Sequence, residues 1–237
     1  MSSINVSLRL ASAVLLLCAL HSGAQGQDAD NERVAYREGK DYSLLPMRTR
    51  TENEAAKEAD SENVEVVAVF SYACPFCYKY ESTVTEWLKT KDDSVAFRRE
   101  HMASGRALEN LARAYYIAED LKILPKTHDA LFKAIHVFEL EPYGEDDLQR
   151  MYKRLADVDS KTFSDKFWSS EIHERVKESK KTLRDWRITG VPCVVVGGRY
   201  LVDAEMSDGE ASKMFAVVDY LVTKIQGERD PSADPPA

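Results

Sequence analysis

Two cysteines separated by two residues, Cys74 and Cys77, are the side chains in this sequence best suited to redox chemistry. They follow a valine-rich run at 64–70 and precede a helical pattern of apolar residues at three- and four-residue spacing. Cys74 is therefore expected at the helix N-cap, where free backbone N–H groups and the positive helix end stabilise a thiolate. Cys77 is close enough to Cys74 to form an intramolecular disulfide with it, and it is expected to face inward with Tyr80 and Val84. The pattern predicts a redox pair in which Cys74 exchanges with substrate and Cys77 resolves the mixed disulfide.

Two other interpretations of the pair remain open. A zinc site needs about four ligands, but the sequence has neither a second C-x-x-C nor an H-x(3–5)-H. A purely structural disulfide would close a very small loop and constrain little of the unfolded chain. Redox chemistry is favoured over both, and no metal or cofactor is expected.

A second element that could contribute to the site is Thr189-Gly190-Val191-Pro192-Cys193, which leads into a run of three valines. A proline is permitted at the start of a strand. A cis bond before Pro192 would be a specialised feature, and sequence alone does not decide the isomer.

The elements that must position these residues follow a clear order. A buried strand at 64–70 is followed by the Pro75 helix, a second strand at 95–100 and a helical region at about 107–186. Strand character returns at 191–196, a Gly197-Gly198 turn leads into 199–202, and a final helix covers 211–225. This order predicts an α/β fold with a helical domain inserted into it.

The N-terminus has the pattern of a cleavable secretory signal. Arg9 precedes an apolar run at 11–20, and small residues allow cleavage after Ala24. The run is about half the length needed to span a bilayer, which disfavours a permanent anchor. Cleavage would remove Cys18 and leave three cysteines in an oxidising compartment.

The predicted domain organisation begins with a signal peptide at 1–24 and an N-terminal extension with a first strand and an acidic segment at 25–63. An α/β domain at 64–104 and 187–226 contains an inserted helical domain at 105–186, and a flexible tail follows at 227–237.

Composition excludes several classes of protein. The 237 residues carry 40 acidic and 32 basic side chains, a net charge of −8, which disfavours general binding to nucleic-acid phosphates. Four cysteines are too few for a disulfide-stapled miniprotein, so each is expected to have a specific role.

Taken together, these residues resemble the DsbA family of periplasmic thiol:disulfide oxidoreductases, thioredoxin-fold proteins with a helical insertion. The similarity runs from about residue 34 to residue 225. Three segments carry it: Tyr36 to Tyr42 (YREGKDY), Phe70 to Tyr78 (FSYACPFCY), and Gly190-Val191-Pro192 before the closing hairpin.

The resemblance implies a role for each site residue. Cys74 would be attacked by substrate thiolates and Cys77 would complete the exchange. Pro192 would be a cis-proline beside the dithiol, and the Val191 backbone would pair with an extended substrate. Glu81 matches a family acidic position that could help to move protons, although it could also be an ordinary glutamate on a helix face.

Three positions depart from the family pattern. Phe76 stands where the commonest dipeptide has histidine, which removes one cationic stabiliser of the thiolate. Ala68 stands where many members have a buried glutamate. Cys193 replaces a small or hydroxyl residue, and it is interpreted either as a small buried hydrophobe or as a third thiol that modulates the pair.

The expected function is oxidation of unfolded exported proteins with free cysteines in the periplasm, by a monomer that a quinone-linked membrane oxidase regenerates. A reductase or isomerase is the second hypothesis, although few residues precede the strand at 64 to form a dimerisation domain. A non-catalytic, chaperone-like peptide-binding module is the third.

Overall fold

The computed structural model describes residues 36–46 and 63–229. The predicted signal peptide, Cys18, most of the acidic segment and the last eight residues lie outside this part of the chain. In chain order the strands are β1 Ser43–Leu44, β2 Val64–Phe70, β3 Val95–His101, β4 Cys193–Val196 and β5 Tyr200–Asp203. The helices are α1 Pro75–Thr90, α2 Gly105–Asp120, α3 Leu124–His136, α4 Glu145–Ala156, α5 Ser160–Phe167, α6 Ser170–Asp185 and α7 Ala211–Arg229.

The strands form one mixed sheet in the order β1-β5-β4-β2-β3. β2 lies between β3, to which it is parallel, and β4, to which it is antiparallel, and β4 and β5 form the predicted hairpin. Helices α2 to α6 lie in the chain between β3 and β4. The predicted α/β thioredoxin fold with a helical insertion is confirmed.

Side-chain alternation along the strands directs two apolar clusters to opposite faces of the sheet. Val194 and Val196 of β4 join a cluster with α1 and α7. Cys193 and Val195 join a second cluster with Leu183 and the adjacent Trp186 at the end of α6. Helix α1, which begins beside Cys74, therefore packs on one face of the sheet, and the end of α6 packs on the other.

The helical insertion shares a third buried cluster with the active-site segment. Phe70, Tyr72 and Cys77 pack in it together with Tyr115 of α2 and Phe132 of α3. This core is continuous between the active-site segment and the insertion, so it does not mark where one ends and the other begins. The boundaries of the insertion at 105 and 186 stay a prediction.

The last helix extends further than the sequence indicated. The apolar pattern ends at Ile225 and a tail was predicted from Gly227, but α7 runs to Arg229. The added turn is held by polar contacts instead of apolar ones, since Gln226 bonds to Ser94 and Glu228 accepts from Arg199 at 2.5 Å. Within the described residues, no helix combines the length and apolarity needed to cross a bilayer.

Candidate active site

Cys74 is the N-cap of α1, and Pro75 begins the helix. The Cys74 backbone is extended, and the Cys74 Sγ accepts a hydrogen bond from the Cys77 N–H at 3.3 Å. The hydrogen bond with the Cys77 thiol is the main cause that lowers the pKa of Cys74 to about 6, with help from the backbone N–H groups of Cys77 and Phe76 and against the effect of burial. Cys74 thus occupies the predicted N-cap position, and its surroundings favour the thiolate form.

Cys77 has the opposite environment. Its side chain is only 3% exposed. The hydrogen bond to Cys74, burial and the charge of the Cys74 thiolate all raise the pKa of Cys77 well above its usual range. The negative charge therefore resides on Cys74 and the proton on Cys77.

The segment at Val191-Pro192 lies against the dithiol, although 117 residues separate it from Cys74. The Val191–Pro192 peptide bond is cis, as the resemblance implied. The Cys74 Sγ lies 3.4 Å from the Val191 carbonyl oxygen, which accepts from the thiol form. The contact brings the two elements that the sequence singled out into one site.

Phe76, between the cysteines, is 57% exposed. The Lys79 ammonium lies 5.4 Å from the centre of its ring, a cation–π contact. The dipeptide therefore presents an apolar surface beside the reactive thiol.

Glu81 lies one helical turn beyond Cys77 and is not an ordinary surface glutamate, because its side chain is only 14% exposed. Its carboxylate is paired with Arg99 of β3, and its Oε1 lies 3.3 Å from Nε2 of His128 on α3. Burial alone would raise the pKa of Glu81, but His128 and Arg99 outweigh burial and lower it.

A cavity of about 20 Å³ lies behind the dithiol. Ala68, Cys77, Glu81, Arg99 and Pro192 are among the residues that line it. A larger side chain in place of Ala68 would extend toward this space, so the departure from the family pattern at position 68 leaves room beside Glu81.

Cys193 follows Pro192 but packs with Leu183 and Trp186, on the face of the sheet opposite α1. Burial raises the pKa of its thiol well above the usual range. The side chain thus has the surroundings of a small hydrophobe, and a modulating role for Cys193 stays untested.

Three histidines contact Tyr72 beside the site, and of these only His128 also reaches Glu81, a role that the sequence did not indicate because its histidines lack the spacing of zinc ligands. The Tyr72 N–H donates to Nε2 of His101 at 3.2 Å, its hydroxyl lies 2.7 Å from Nδ1 of His128, and its carbonyl lies 2.8 Å from Nε2 of His136. Burial, followed by the proximity of His128, lowers the pKa of His101 to about 3. The eight-residue spacing of His128 and His136 on one helix is the signal that could have placed both on one face.

Metal binding has no support in the described part of the chain, where no three His, Cys, Asp or Glu side chains cluster as metal ligands would. The arrangement instead provides one stabilised thiolate, one protonated partner thiol and a buried carboxylate nearby. This set suits thiol–disulfide exchange.

Comparison with known protein families supports this chemistry. The model of the DSBA-like thioredoxin domain matches residues 65–215, well over half of the chain. The chain belongs to the DsbA-like thioredoxin domain family.

Named relatives in this family match most of the chain. The thiol:disulfide interchange protein DsbA of Burkholderia cepacia is 30% identical over 224 residues, 93% of this chain and 99% of the relative. The protein of the same name from Azotobacter vinelandii is 27% identical, covering 78% of this chain and 82% of the relative. The resemblance stated from sequence is therefore confirmed.

Solved DsbA structures have the same fold. The crystal structure of Pseudomonas aeruginosa DsbA superposes with a TM-score of 0.73 at 25% identity, over 81% of this chain and 96% of that one. The oxidoreductase DsbA from Xylella fastidiosa gives a TM-score of 0.67 at 26% identity, over 82% and 97%. This DsbA-like protein is an enzyme, a thiol:disulfide oxidoreductase.

Proposed function

We propose that this DsbA-like protein introduces disulfide bonds into exported proteins by exchange with a Cys74–Cys77 disulfide. The observation that carries the proposal is the environment of Cys74, whose pKa is lowered to about 6 at a helix N-terminus. A stabilised thiolate favours the reduced form of the enzyme, and this makes its disulfide a strong oxidant.

The exchange proceeds in two steps. A client thiolate attacks Sγ of Cys74, the Cys74–Cys77 bond breaks, and its electron pair leaves on Sγ of Cys77, which takes up a proton. A second client thiolate then attacks the client sulfur of the mixed disulfide, and Cys74 leaves as the thiolate. The client is oxidised by two electrons and the enzyme is reduced by two.

The side chains around the dithiol have separate roles in this proposal. Attack falls on Cys74 because Cys77 is buried. Pro75 begins the helix that stabilises the thiolate, and the exposed Phe76 contacts apolar client residues. The Val191 backbone aligns an extended client beside Pro192, and Glu81 exchanges the proton of Cys77.

The cellular setting follows from the N-terminal pattern and the family. A signal at 1–24 would direct the chain to the periplasm, where unfolded proteins with free cysteines arrive. A quinone-linked membrane oxidase would take up the two electrons and restore the disulfide. The enzyme would act as a monomer.

The test is the redox equilibrium of the Cys74–Cys77 pair with glutathione. We expect a potential well above the value of about −270 mV that is typical of thioredoxin. A potential near thioredoxin's would overturn the oxidase and favour a reductase. The same measurement on Cys193→Ala tests the modulating role of Cys193. An unchanged potential would leave Cys193 a small buried hydrophobe packed with Leu183 and Trp186, whereas a changed potential would show that the third thiol acts on Cys77, whose pKa it helps to raise.

A second measurement separates an oxidase from a chaperone-like binding module. Cys77→Ser cannot form the Cys74–Cys77 disulfide, but its Cys74 thiolate can attack a disulfide of an oxidised client and release one client thiolate. The resulting mixed disulfide should accumulate, because no Cys77 thiol is present to displace the client from Cys74. Cys74→Ser should abolish client oxidation. Full function in Cys74→Ser would instead show that the dithiol is incidental.

A further inference from the structure

His128 links two parts of the redox site that are distant in sequence. Its Nδ1 lies 2.7 Å from the hydroxyl of Tyr72, two residues before Cys74. Its Nε2 lies 3.3 Å from Oε1 of Glu81, one turn after Cys77. One buried imidazole from the helical insertion thus touches both the loop that enters the dithiol and the acid that follows it.

The protonation of His128 fits a donor to Glu81. Burial is the main effect on the pKa of His128 and lowers it, although Glu81 acts to raise it, so the ring is neutral at pH 7. With the Tyr72 hydroxyl donating to Nδ1, the single ring N–H lies on Nε2 and faces Glu81.

That Nε2 is buried and makes no hydrogen bond among the described residues, since Glu81 lies at ion-pair distance but outside hydrogen-bonding geometry. An unpaired buried N–H is costly, so a small rotation that pairs it with the Glu81 carboxylate is favourable.

Glu81 faces two spaces. On one side is the cavity of about 20 Å³ that Cys77 also lines, large enough for one water molecule. On the other side is an open groove between α1 and α3, which Glu81, Arg99 and His128 help to line. The carboxylate therefore lies between the buried thiol and solvent.

We propose that His128 is a positioning residue for the exchange reaction: it holds the Glu81 carboxylate where Glu81 can pass a proton between Cys77 and water in the groove. This inference deepens the proposed function and rests on it. When the disulfide opens, the ionised Glu81 carboxylate takes one proton from solvent in the groove and passes it through the cavity to the Cys77 thiolate, so that Glu81 is ionised again. Re-oxidation moves one proton in the reverse direction, and no electrons pass through His128.

Several other groups face the His128–Glu81 pair and are common to all the variants below. They are Arg99 and His101 on β3, Tyr72 before α1, Cys77 on α1, Tyr115 on α2 and Asp129 on α3. Arg99 keeps the Glu81 carboxylate ionised between transfers, and burial keeps His101 neutral.

The test compares His128→Asn with His128→Gln. A glutamine amide reaches the place of Nε2 and can donate to Glu81, whereas an asparagine amide reaches only the place of Nδ1. The measurement is the rate at which a dithiol peptide reduces the oxidised enzyme, as a function of pH and in H₂O and D₂O. We expect His128→Asn to be about tenfold slower with a larger solvent isotope effect, and His128→Gln to stay within about twofold of wild type.

The same comparison is repeated with Glu81→Gln. If His128 acts through Glu81, adding His128→Asn to Glu81→Gln causes no further loss of rate. Tyr72→Phe removes the hydroxyl that orients the His128 ring. It should likewise slow the reaction when introduced alone, but should cause no further loss of rate when added to Glu81→Gln. This second variant keeps the test decisive if the His128 variants fold poorly, which thermal unfolding will show.

His136→Gln is the matched control, because His136 contacts the Tyr72 carbonyl from the same helix but not Glu81. Its pH profile should match that of wild type. Equal losses in His128→Asn and His128→Gln, no loss in either, or full additivity with Glu81→Gln would overturn the inference. If wild type itself does not oxidise the peptide, the proposed function fails; if it does and only the His128 comparison fails, only this inference falls.

Discussion

Cys74 and Cys77 are one helical turn apart but differ in which of them keeps its proton. Cys74 stands at the open end of α1, where the Cys77 thiol and two backbone N–H groups all favour its thiolate. Cys77 is enclosed beneath it, where burial and the neighbouring thiolate favour the neutral thiol. The asymmetry that directs client attack to Cys74 therefore follows from the position of each residue at the helix terminus.

This asymmetry predicts a pH dependence of stability for the reduced enzyme. The pKa of Cys74 is about 6 in the folded protein against 9.0 for an unperturbed thiol, so its contribution is present above pH 9 and is lost as pH falls through 6. The raised pKa of Cys77 affects stability only above pH 9. We expect the melting temperature of the reduced enzyme, relative to the oxidised enzyme, to rise between pH 6 and pH 9.

Calorimetry of both redox forms across this range measures the effect. Cys74→Ala provides the control, because without this thiol the melting temperature should lack the rise between pH 6 and pH 9 that Cys74 causes. A difference between reduced and oxidised enzyme that stays constant from pH 6 to pH 9 would contradict a lowered pKa for Cys74.

Phe76 gives a second prediction for a single residue. In Phe76→His, an imidazolium beside Cys74 would lower the pKa of the thiolate further and stabilise the reduced enzyme. We expect the equilibrium constant for oxidation of glutathione by the enzyme to rise about tenfold, since one pKa unit corresponds to that factor. Phe76→Leu keeps the position apolar and should change the equilibrium little. Equal equilibria for the two variants would show that the dipeptide does not tune this site.

At the scale of elements, the helical insertion is held together by a buried arginine. Arg113 of α2 donates to the Phe167 carbonyl at the end of α5 at 2.8 Å, and its Nη2 lies 3.2 Å from Nδ1 of His173 on α6. Its guanidinium also lies over the rings of Phe167 and Trp168. One side chain thus fixes α2 against the junction of α5 and α6.

Arg113→Met should destabilise the protein by about 2–3 kcal/mol, because methionine keeps the apolar stem but leaves the Phe167 carbonyl without its charged donor. Urea unfolding measures the change. Arg150→Met is the matched control, since Arg150 pairs with Asp147 on the exposed surface at 2.5 Å and should cost less than about 0.5 kcal/mol. Similar losses in the two variants would contradict the role of Arg113.

At the scale of the whole molecule, the sheet order brings the dithiol and the Val191-Pro192 segment to the same end of the sheet. β2 runs into the loop before Cys74, and β4 begins beside it after Pro192, because the two strands are antiparallel neighbours. The helical insertion then covers the buried side of the dithiol through Tyr72 and His128. On the other side of the dithiol, Phe76 is exposed.

The net charge of −8 gives a prediction at this scale. A dithiol peptide flanked by lysines should be oxidised faster at low ionic strength than at high, and a glutamate-flanked peptide should show the reverse. We expect changes of severalfold in the second-order rate constant between about 10 mM and 500 mM salt, with a neutral peptide as the reference. Identical salt dependence for all three peptides would show that the overall charge does not steer clients.

Much of this protein could be predicted from its sequence because the relevant signals are local. A valine-rich run followed by C-x-x-C and a helical apolar period determines a buried strand, a helix start and a thiolate at its N-cap, since these depend on residues within a few positions of one another. The order of elements determined the fold class. The prediction that the last helix ends at Ile225 was wrong. Polar contacts with residues distant in sequence, such as Ser94, extend α7 beyond its apolar pattern.

Only the tertiary structure decided which distant residues complete the site. The contact of Val191 with Cys74, the pairing of Glu81 with Arg99 and the approach of His128 all join residues on different elements. The face on which Cys193 lies depended on strand register, which fixes whether alternate side chains point toward α1 or α6. Local spacing determines where helices and strands begin, whereas packing determines which side chains meet. Here packing brought His101 and His128 to a site for which the sequence had predicted the C-P-F-C segment, Glu81 and Val191-Pro192.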